Sequence, residues 1–103
     1  MTTPDFSKGC AWQRGEFVPI GQASVPLTDW GFLRSDATYD VVTVWDGAFF
    51  RLDAHMERFL RSCQRFRLDP GRSPQAIVDI LSECVRRAGL RASYVEMLVT
   101  RGQ

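Results

Sequence analysis

The spacing of the apolar residues changes from that of a strand to that of a helix in the middle of the chain, and this change constrains the fold most. Residues 38–45 are rich in β-branched and aromatic side chains, which is typical of a β-strand. Asp46-Gly47 follows and supplies the positive φ angles of a two-residue hairpin turn, so residues 48–51 should return antiparallel to the first strand. From Leu52 the apolar residues recur every three to four positions, which predicts a helix directly after the hairpin.

A second helix should follow the first after a short turn. Residues 69–72 read Asp-Pro-Gly-Arg, which is turn-forming by composition. Ser73 is a candidate N-cap, and Pro74 occupies the first helical position, where its missing N–H has no helical partner to lose. We expect the helix to span residues 75–88 and to end at Gly89.

The two ends of the chain complete the predicted fold. Residues 93–100 have the composition of a strand, and residues 16–20 that of a short edge strand, while residues 29–32 should turn the chain into the central hairpin. Residues 1–15 are polar and aperiodic, so no regular structure is expected there, although Trp12 would then need a surface to pack on. The fold class is therefore α+β, a small antiparallel sheet with two helices on one face.

Composition excludes several classes of function. The net charge of +1 gives no argument for a nucleic acid or an acidic membrane surface as partner, and no apolar run is long enough to span a bilayer. Residues 1–9 lack the apolar segment of a secretory signal, and an odd number of cysteines, three, favours reduced thiols, so we expect a cytoplasmic protein. His55 is the only histidine and no Cys/His cluster accompanies it, so no metal site is predicted.

Five short sequence motifs (phrases, below), in order along the chain, resemble the N-terminal part of the fold-type IV pyridoxal-5'-phosphate enzymes. This family includes branched-chain and D-amino-acid aminotransferases, (R)-selective amine transaminases and aminodeoxychorismate lyase. The sequences of the five motifs are most similar to those of the amine transaminases. The phrases are Asp-Trp-Gly-Phe at 29–32, Ser-Asp-Ala-Thr-Tyr-Asp-Val at 35–41, Trp-Asp-Gly-Ala-Phe-Phe-Arg-Leu at 45–52, His-Met-Glu-Arg at 55–58 and Val-Thr-Arg-Gly at 99–102.

The resemblance implies a function for the whole protein. It implies a homodimeric enzyme that uses pyridoxal 5'-phosphate to move an amino group from an (R)-amine, or from a D-amino or branched-chain amino acid, to a keto acid such as pyruvate. The 103 residues would form the N-terminal small domain. The lysine that binds the cofactor covalently would lie in a larger domain beyond Gln103, since Lys8, the only lysine, lies outside every matched phrase.

Arg58 is the candidate cofactor-binding residue. The resemblance implies that the arginine of the His-x-x-Arg phrase binds the cofactor phosphate, and a guanidinium can donate two parallel hydrogen bonds to phosphate oxygens. From spacing alone a different interpretation is favoured. Arg58, Arg61 and Arg65 recur at helical intervals, which is typical of a solvated basic face, with Glu57 and Arg61 as a favourable pair.

Tyr39, Val41 and Arg34 are the candidate substrate-binding residues. Tyr39, Val41 and Thr43 should share one face of the predicted strand, with Asp40, Val42 and Val44 on the other. The resemblance implies that Tyr39 and Val41 line the substrate pocket, whereas the residues alone favour cross-strand packing for Tyr39. Arg34 stands where the amine transaminases commonly have histidine. It is either a ligand for a substrate carboxylate or a surface residue.

Other polar residues receive structural interpretations. His55 lies in the first turn of the predicted helix without a nucleophile pattern, so we leave it out of the catalytic set, in which no residue of this chain is placed. Turn or cap roles are predicted for Asp36, Asp40 and Asp46. Two other classes of function remain: a lyase of the same fold acting on an aminodeoxychorismate-like substrate, and a non-catalytic dimerisation or binding module if the chain ends at Gln103.

Overall fold

A hairpin, two long helices and a returning strand form the main body of the molecule. The computed structural model describes residues 6–103, and within this range there are five strands and three α-helices. Their bounds are β1 Cys10–Gln13, β2 Glu16–Pro19, α1 Trp30–Arg34, β3 Ala37–Trp45, β4 Ala48–Phe49, α2 Leu52–Phe66, α3 Pro74–Ala88 and β5 Ala92–Thr100, with a 3₁₀ turn at Ile20–Gln22. None of the helices in this range combines the length and the apolar character needed to cross a membrane.

The main sheet has the strand order β4-β3-β5 and is antiparallel throughout. Its buried face packs against α2 and α3, and the core contains residues from all of these elements. The central buried residues are Val42, Met56, Phe59, Cys63, Ile77, Leu81 and Met97. The predicted fold class, an antiparallel sheet with two helices on one face, is therefore confirmed.

The predicted hairpin and the helix after it are confirmed, with one change at β4. Asp46 and Gly47 form the turn with φ angles of 49° and 79°. The returning strand is shorter than expected and covers Ala48–Phe49 instead of residues 48–51. It ends early because Arg51 adopts a left-handed conformation, with φ 56°, immediately before α2 begins.

The signals for the second long helix also match the structure. Asp69 Oδ1 accepts a hydrogen bond from the Gly71 N–H at 2.8 Å, which closes the predicted turn. Ser73 Oγ accepts from the Ala76 N–H at 3.1 Å, as an N-cap should, and Pro74 is the first helical residue. Gly89 ends the helix in a left-handed conformation with φ 64°.

The N-terminal region differs from the expectation. The predicted absence of regular structure over residues 1–15 is wrong for Cys10–Gln13, which pairs with Glu16–Pro19 in a second hairpin; residues 1–5 lie outside the described part. Arg14 and Gly15 have φ angles of 53° and 80°, the backbone of a two-residue hairpin turn. The missed signal is this Arg-Gly pair between two short runs of apolar and aromatic residues.

Residues 29–32 begin a short helix instead of a simple turn. Asp29 caps α1, since its Oδ1 accepts from the Gly31 N–H at 2.7 Å. The same carboxylate accepts from Thr100 Oγ1 at 3.0 Å, and the Trp30 N–H donates to the Gly102 carbonyl at 2.8 Å. The start of α1 is therefore held against the end of β5.

Arg101 joins three parts of the chain. Its Nε donates to Asp36 Oδ2 at 3.0 Å, its Nη1 to the Arg67 carbonyl at 2.7 Å and its Nη2 to the Phe66 carbonyl at 2.9 Å. Carbonyls at the end of a helix have no partner within the helix, so Arg101 satisfies two groups of the α2 terminus. Asp36, expected in a turn or cap role, is an ion-pair partner that orients this arginine.

Gly31 should be intolerant of a side chain. A Cβ at this position would lie 2.5 Å from Thr100 Cγ2 and 2.9 Å from Thr100 Cβ, both closer than atoms normally approach. Gly31→Ala should therefore lower the free energy of unfolding by about 1–3 kcal/mol, measured by urea denaturation.

Gly21→Ala is the matched control, because a Cβ at Gly21 would have no atom of residues 6–103 within 4 Å apart from those of its immediate neighbours in the chain. Its effect should stay within about 0.5 kcal/mol. Equal losses of unfolding free energy in the two variants would show that the close approach of α1 to Thr100 is not the reason why position 31 requires glycine.

Candidate functional site

The pleat of β3 presents two different surfaces. The predicted alternation is confirmed, because Asp40, Val42 and Val44 are buried on the helix side while Tyr39 on the other side is 62% exposed. Tyr39 lies opposite Leu98, and Val41 opposite Glu96, in the pairing with β5. A single strand thus supplies one charged group to the interior and an aromatic side chain to the open face.

Asp40 and Arg58 form a two-point ion pair between β3 and α2. Arg58 Nε donates to Oδ2 at 2.7 Å, and Nη2 donates to Oδ1 at 2.9 Å. The Asp40 side chain is buried, whereas the Arg58 side chain is 61% exposed. The carboxylate therefore holds one edge of the guanidinium from below and leaves the rest of the group at the surface.

His55 completes the set of contacts to this carboxylate. Its Nδ1 lies 2.7 Å from Asp40 Oδ1, the same oxygen that accepts from the Val41 backbone N–H at 3.0 Å. His55 precedes Arg58 by three positions, so both project from one face of α2. The contact agrees with the structural interpretation of His55, which becomes a second support for the carboxylate.

The electrostatics of the cluster follow from these hydrogen bonds. The hydrogen bond from Arg58 lowers the pKa of Asp40 from 3.8 to about 2, with a further lowering by His55 and an opposing effect of burial. The hydrogen bond to Asp40 also raises the pKa of Arg58. Both partners are therefore charged at neutral pH.

Asp40 is a residue whose role the sequence prediction assigned wrongly. It was expected in a turn or cap, but it lies within β3 and is the central acceptor of the cluster. A signal was present, because a carboxylate on the same face as Val42 and Val44 must have a partner in the interior. The interpretation of Arg58 as part of a solvated basic face is likewise incomplete. Its guanidinium is exposed, but the buried Asp40 carboxylate holds it in place.

An open depression lies beside the exposed guanidinium. Its volume is about 300 Å³, and it is lined by Tyr39, Asp40, Val41, Arg58 and Ser62. A second depression of about 350 Å³ also includes Arg58 in its lining, with Arg51, Ala54, His55, Glu57 and Arg61. Three of the four candidate residues, Tyr39, Val41 and Arg58, thus meet at one concave surface.

Two further residues, Arg34 and Ser62, differ in their relation to these depressions. Arg34 is not among the residues that line either depression; its guanidinium stacks 5.2 Å from the Trp30 ring centroid at the end of α1. Ser62 was not singled out from the sequence. Its spacing of four from Arg58 places both on one helix face and would have indicated it.

The depressed pKa of Asp40 predicts a loss of stability in acid. A carboxylate whose pKa falls from 3.8 to about 2 on folding stabilises the protein above pH 4, and the contribution disappears as the pH falls from about 4 to about 2. Asp40→Asn should remove this dependence and lower the free energy of unfolding at pH 7 by about 2 kcal/mol. Urea denaturation at a series of pH values measures both.

Glu83→Gln is the control for this experiment. The hydrogen bond from Arg86 lowers the pKa of Glu83 to about 2 as well, with Arg87 as a further partner, but these groups are on the surface of α3. Solvent screens such pairs, so the substitution should change stability at pH 7 much less than Asp40→Asn. A larger loss with Glu83→Gln would contradict the importance of the buried carboxylate.

Comparison with known proteins identifies the family. Residues 37–103 match the family model described as amino-transferase class IV. D-alanine aminotransferases from Staphylococcus haemolyticus and Staphylococcus aureus are 30% and 31% identical over 88 residues, which make up 85% of this chain. The chain spans about a third of the length of these relatives, 31% in both cases.

Solved structures support the same relationship. The T.th. branched-chain amino acid aminotransferase complexed with N-(5'-phosphopyridoxyl)-L-glutamate has a TM-score of 0.85 and 25% identity, over 95% of this chain and 35% of that one. The same enzyme with pyridoxamine 5'-phosphate has a TM-score of 0.83 and 26% identity, over 91% of this chain and 32% of that one. The family match covers β3 and α2, which hold the cluster, and the chain belongs to the class IV aminotransferases.

Proposed function

We propose that this chain is the N-terminal small domain of a two-domain, pyridoxal-5'-phosphate-dependent aminotransferase. The D-alanine aminotransferases and the branched-chain aminotransferase to which it is similar support this activity. The observation that carries the proposal is the exposed Arg58 guanidinium, fixed by a buried carboxylate at the rim of a depression that Tyr39 and Val41 also line.

The donor set of Arg58 fits the phosphate of this cofactor. Within residues 6–103 the guanidinium donates to Asp40 through Nε and Nη2 and leaves Nη1 without an acceptor. Nη1 and the outer edge of the group are therefore available for an anion, and a guanidinium fork matches two phosphate oxygens. When bound, the cofactor supplies the electron sink for amino-group transfer.

Asp40 and His55 act as positioning residues in this proposal. An arginine side chain free in solvent loses rotamer freedom when it binds a ligand, and this loss weakens binding. The two hydrogen bonds from Arg58 to Asp40 remove most of that freedom before the ligand arrives. His55 holds the carboxylate from the other side, so the guanidinium is already oriented when phosphate binds.

The substrate is proposed to lie against the open face of β3. Tyr39 offers an exposed ring and Val41 a branched side chain, and both line the depression together with Arg58. The donor would be an (R)-amine or a D-amino or branched-chain amino acid, and the acceptor a keto acid such as pyruvate. Arg34 remains a proposed ligand for a substrate carboxylate. The proposal rests on the affinity of a guanidinium for a carboxylate, at a position where the resembled amine transaminases commonly have histidine. In the structure the guanidinium stacks on Trp30.

The remainder of the catalytic apparatus is proposed to lie outside this chain. The chain covers 31% of the length of the D-alanine aminotransferases, which supports a second domain carrying the cofactor-binding lysine. The homodimer and the cytoplasmic location are proposed from the resemblance and from the composition. The D-alanine and branched-chain relatives are aminotransferases, which supports transfer of the amino group over the lyase and the non-catalytic module.

Removal of Arg58 should weaken cofactor binding more than removal of a neighbouring arginine. In the whole protein, Arg58→Ala should raise the Kd for pyridoxal 5'-phosphate about 10- to 100-fold, the expected effect of losing a hydrogen bond between charged groups. Titration of the apoprotein, followed by cofactor absorbance, measures this. Arg61→Ala is the matched control, because Arg61 carries the same charge on the same helix but lies only in the second depression. Similar losses in both variants would contradict the assignment of Arg58.

Substitutions in the open face should change substrate preference. Val41→Phe should lower kcat/KM for a bulky aryl-alkyl (R)-amine with pyruvate at least about tenfold while sparing D-alanine, because the larger ring fills the depression. Ketone and alanine formation report the first reaction. Absence of ketone and alanine with this amine, together with release of pyruvate from an aminodeoxychorismate-like substrate, would contradict the transaminase and favour the lyase.

Arg34→Ala tests the proposed carboxylate contact. If Arg34 binds a substrate carboxylate, kcat/KM for D-alanine should fall at least about tenfold while that for a simple (R)-amine stays the same. Equal behaviour of the two donors would identify Arg34 as a surface residue stacked on Trp30.

A further inference from the structure

The open face of the main sheet carries a single charge. Side chains alternate along a strand, so every second residue of β3 and β5 points away from α2 and α3. On this face lie Tyr39, Val41, Thr43 and Trp45 of β3, and Ala92, Tyr94, Glu96 and Leu98 of β5. Glu96 supplies the only carboxylate or cationic group among these residues.

Glu96 lies next to the depression that holds the Arg58 guanidinium. It is directly opposite Val41 in the pairing of β5 with β3. Directly opposed residues of an antiparallel pair have Cβ atoms about 4.5–5.5 Å apart. Val41 lines the depression together with Arg58, although Glu96 itself does not. A ligand that extends from the depression across Val41 along the open face therefore meets the Glu96 carboxylate.

The Glu96 carboxylate has no partner of opposite charge within residues 6–103. The side chain is exposed, and neither a salt bridge nor a hydrogen bond joins it to another residue of this range. Its neighbours on the same face of β5 are Tyr94 and Leu98, which are 62% and 52% exposed. The carboxylate therefore stands in aromatic and apolar surroundings, open to a ligand that covers this face.

A ligand on the open face changes the environment of this carboxylate. The ligand displaces water that solvates the charge, and this loss costs free energy unless a cation takes the place of the water. A second carboxylate beside Glu96 would add repulsion between like charges, whereas an ammonium group would form an ion pair. The charge of the ligand's side chain should therefore decide how well it is tolerated beside Val41.

We propose that Glu96 is a specificity-determining residue, which favours substrates with a second amino group and rejects substrates with a second carboxylate. This inference rests on the proposed function, in which the substrate lies against the open face of β3. The substrate class is then amines and amino acids with a neutral or cationic side chain, and the acceptor is a keto acid with one carboxylate. The methyl side chain of alanine is uncharged, so its reaction should not depend on the charge at position 96.

Kinetics of the whole protein with three donors test this preference. Alanine, glutamate and ornithine, in the enantiomer that the protein transaminates, share the reacting amino group and differ in side-chain charge. With 2-oxobutanoate as the common acceptor, 2-aminobutanoate reports every reaction. Glu96→Gln removes the charge and keeps the size of the side chain. It should raise kcat/KM for glutamate and lower kcat/KM for ornithine, each at least about tenfold, and change that for alanine less than about threefold.

Glu16→Gln is the matched control. Glu16 is an exposed carboxylate of β2, in the N-terminal hairpin, whose strand β1 packs against α3. This hairpin is on the side of the helices, away from the open face, so the substitution removes the same charge from a distant place. The ratio of kcat/KM for ornithine to that for glutamate should stay unchanged. Both variants should have the urea midpoint of the unmodified protein, which shows that they are folded.

Two results would overturn the assignment of Glu96. An equal change for all three donors in Glu96→Gln would identify a general structural role, such as an ion pair with another domain. An unchanged ornithine-to-glutamate ratio in Glu96→Gln would show that the side chain of the substrate does not reach this carboxylate.

An aryl-alkyl (R)-amine with pyruvate tests the proposed function separately. Turnover of this amine or of alanine, without the shift in ornithine-to-glutamate preference, overturns the role of Glu96 and leaves the aminotransferase in place. Absence of amino-group transfer from every donor overturns both.

Discussion

A carboxylate on the buried face of a strand is the constraint on which the rest of the structure depends. Asp40 is buried on the same face of β3 as Val42, whose side chain lies in the core. An ionised carboxylate removed from water costs on the order of several kcal/mol unless a cation and further donors compensate. Arg58, His55 and the Val41 N–H do so here. The helix α2 must therefore pack on β3 in a register that brings the helix face with His55 and Arg58 over Asp40.

The ion pair between Asp40 and Arg58 explains how the molecule holds a guanidinium group at its surface in one orientation. An exposed arginine is normally a poor recognition element, because its flexible side chain must be ordered by the ligand. The ion pair with Asp40 orders Arg58 from the interior, and among the residues that the structure describes no acceptor binds Nη1. The pleat of β3 then places Tyr39 and Val41 on the outer face beside it. Interior stability and surface recognition therefore depend on adjacent residues of one strand.

A second set of polar contacts maintains the frame around this centre. Arg101 binds the terminal carbonyls of α2, and Asp29 binds both the start of α1 and Thr100 at the end of β5. These contacts join α1, which precedes the central hairpin, to the end of α2 and the end of β5. The helix that carries Arg58 is thereby fixed at its C-terminal end by Arg101 and near its N-terminal end by Asp40.

The sequence by itself determined the elements that depend on local chemistry. The Asp-Gly turn, the Ser-Pro helix start, the Gly89 helix end and the alternation of β3 were all predictable, because turn angles, caps and side-chain period involve residues close together in the chain. Only the tertiary structure decided the partner of Asp40 and the docking of the N-terminal hairpin on α3. These contacts join residues far apart in sequence, and single-sequence patterns carry no information about which helix face will lie over which strand.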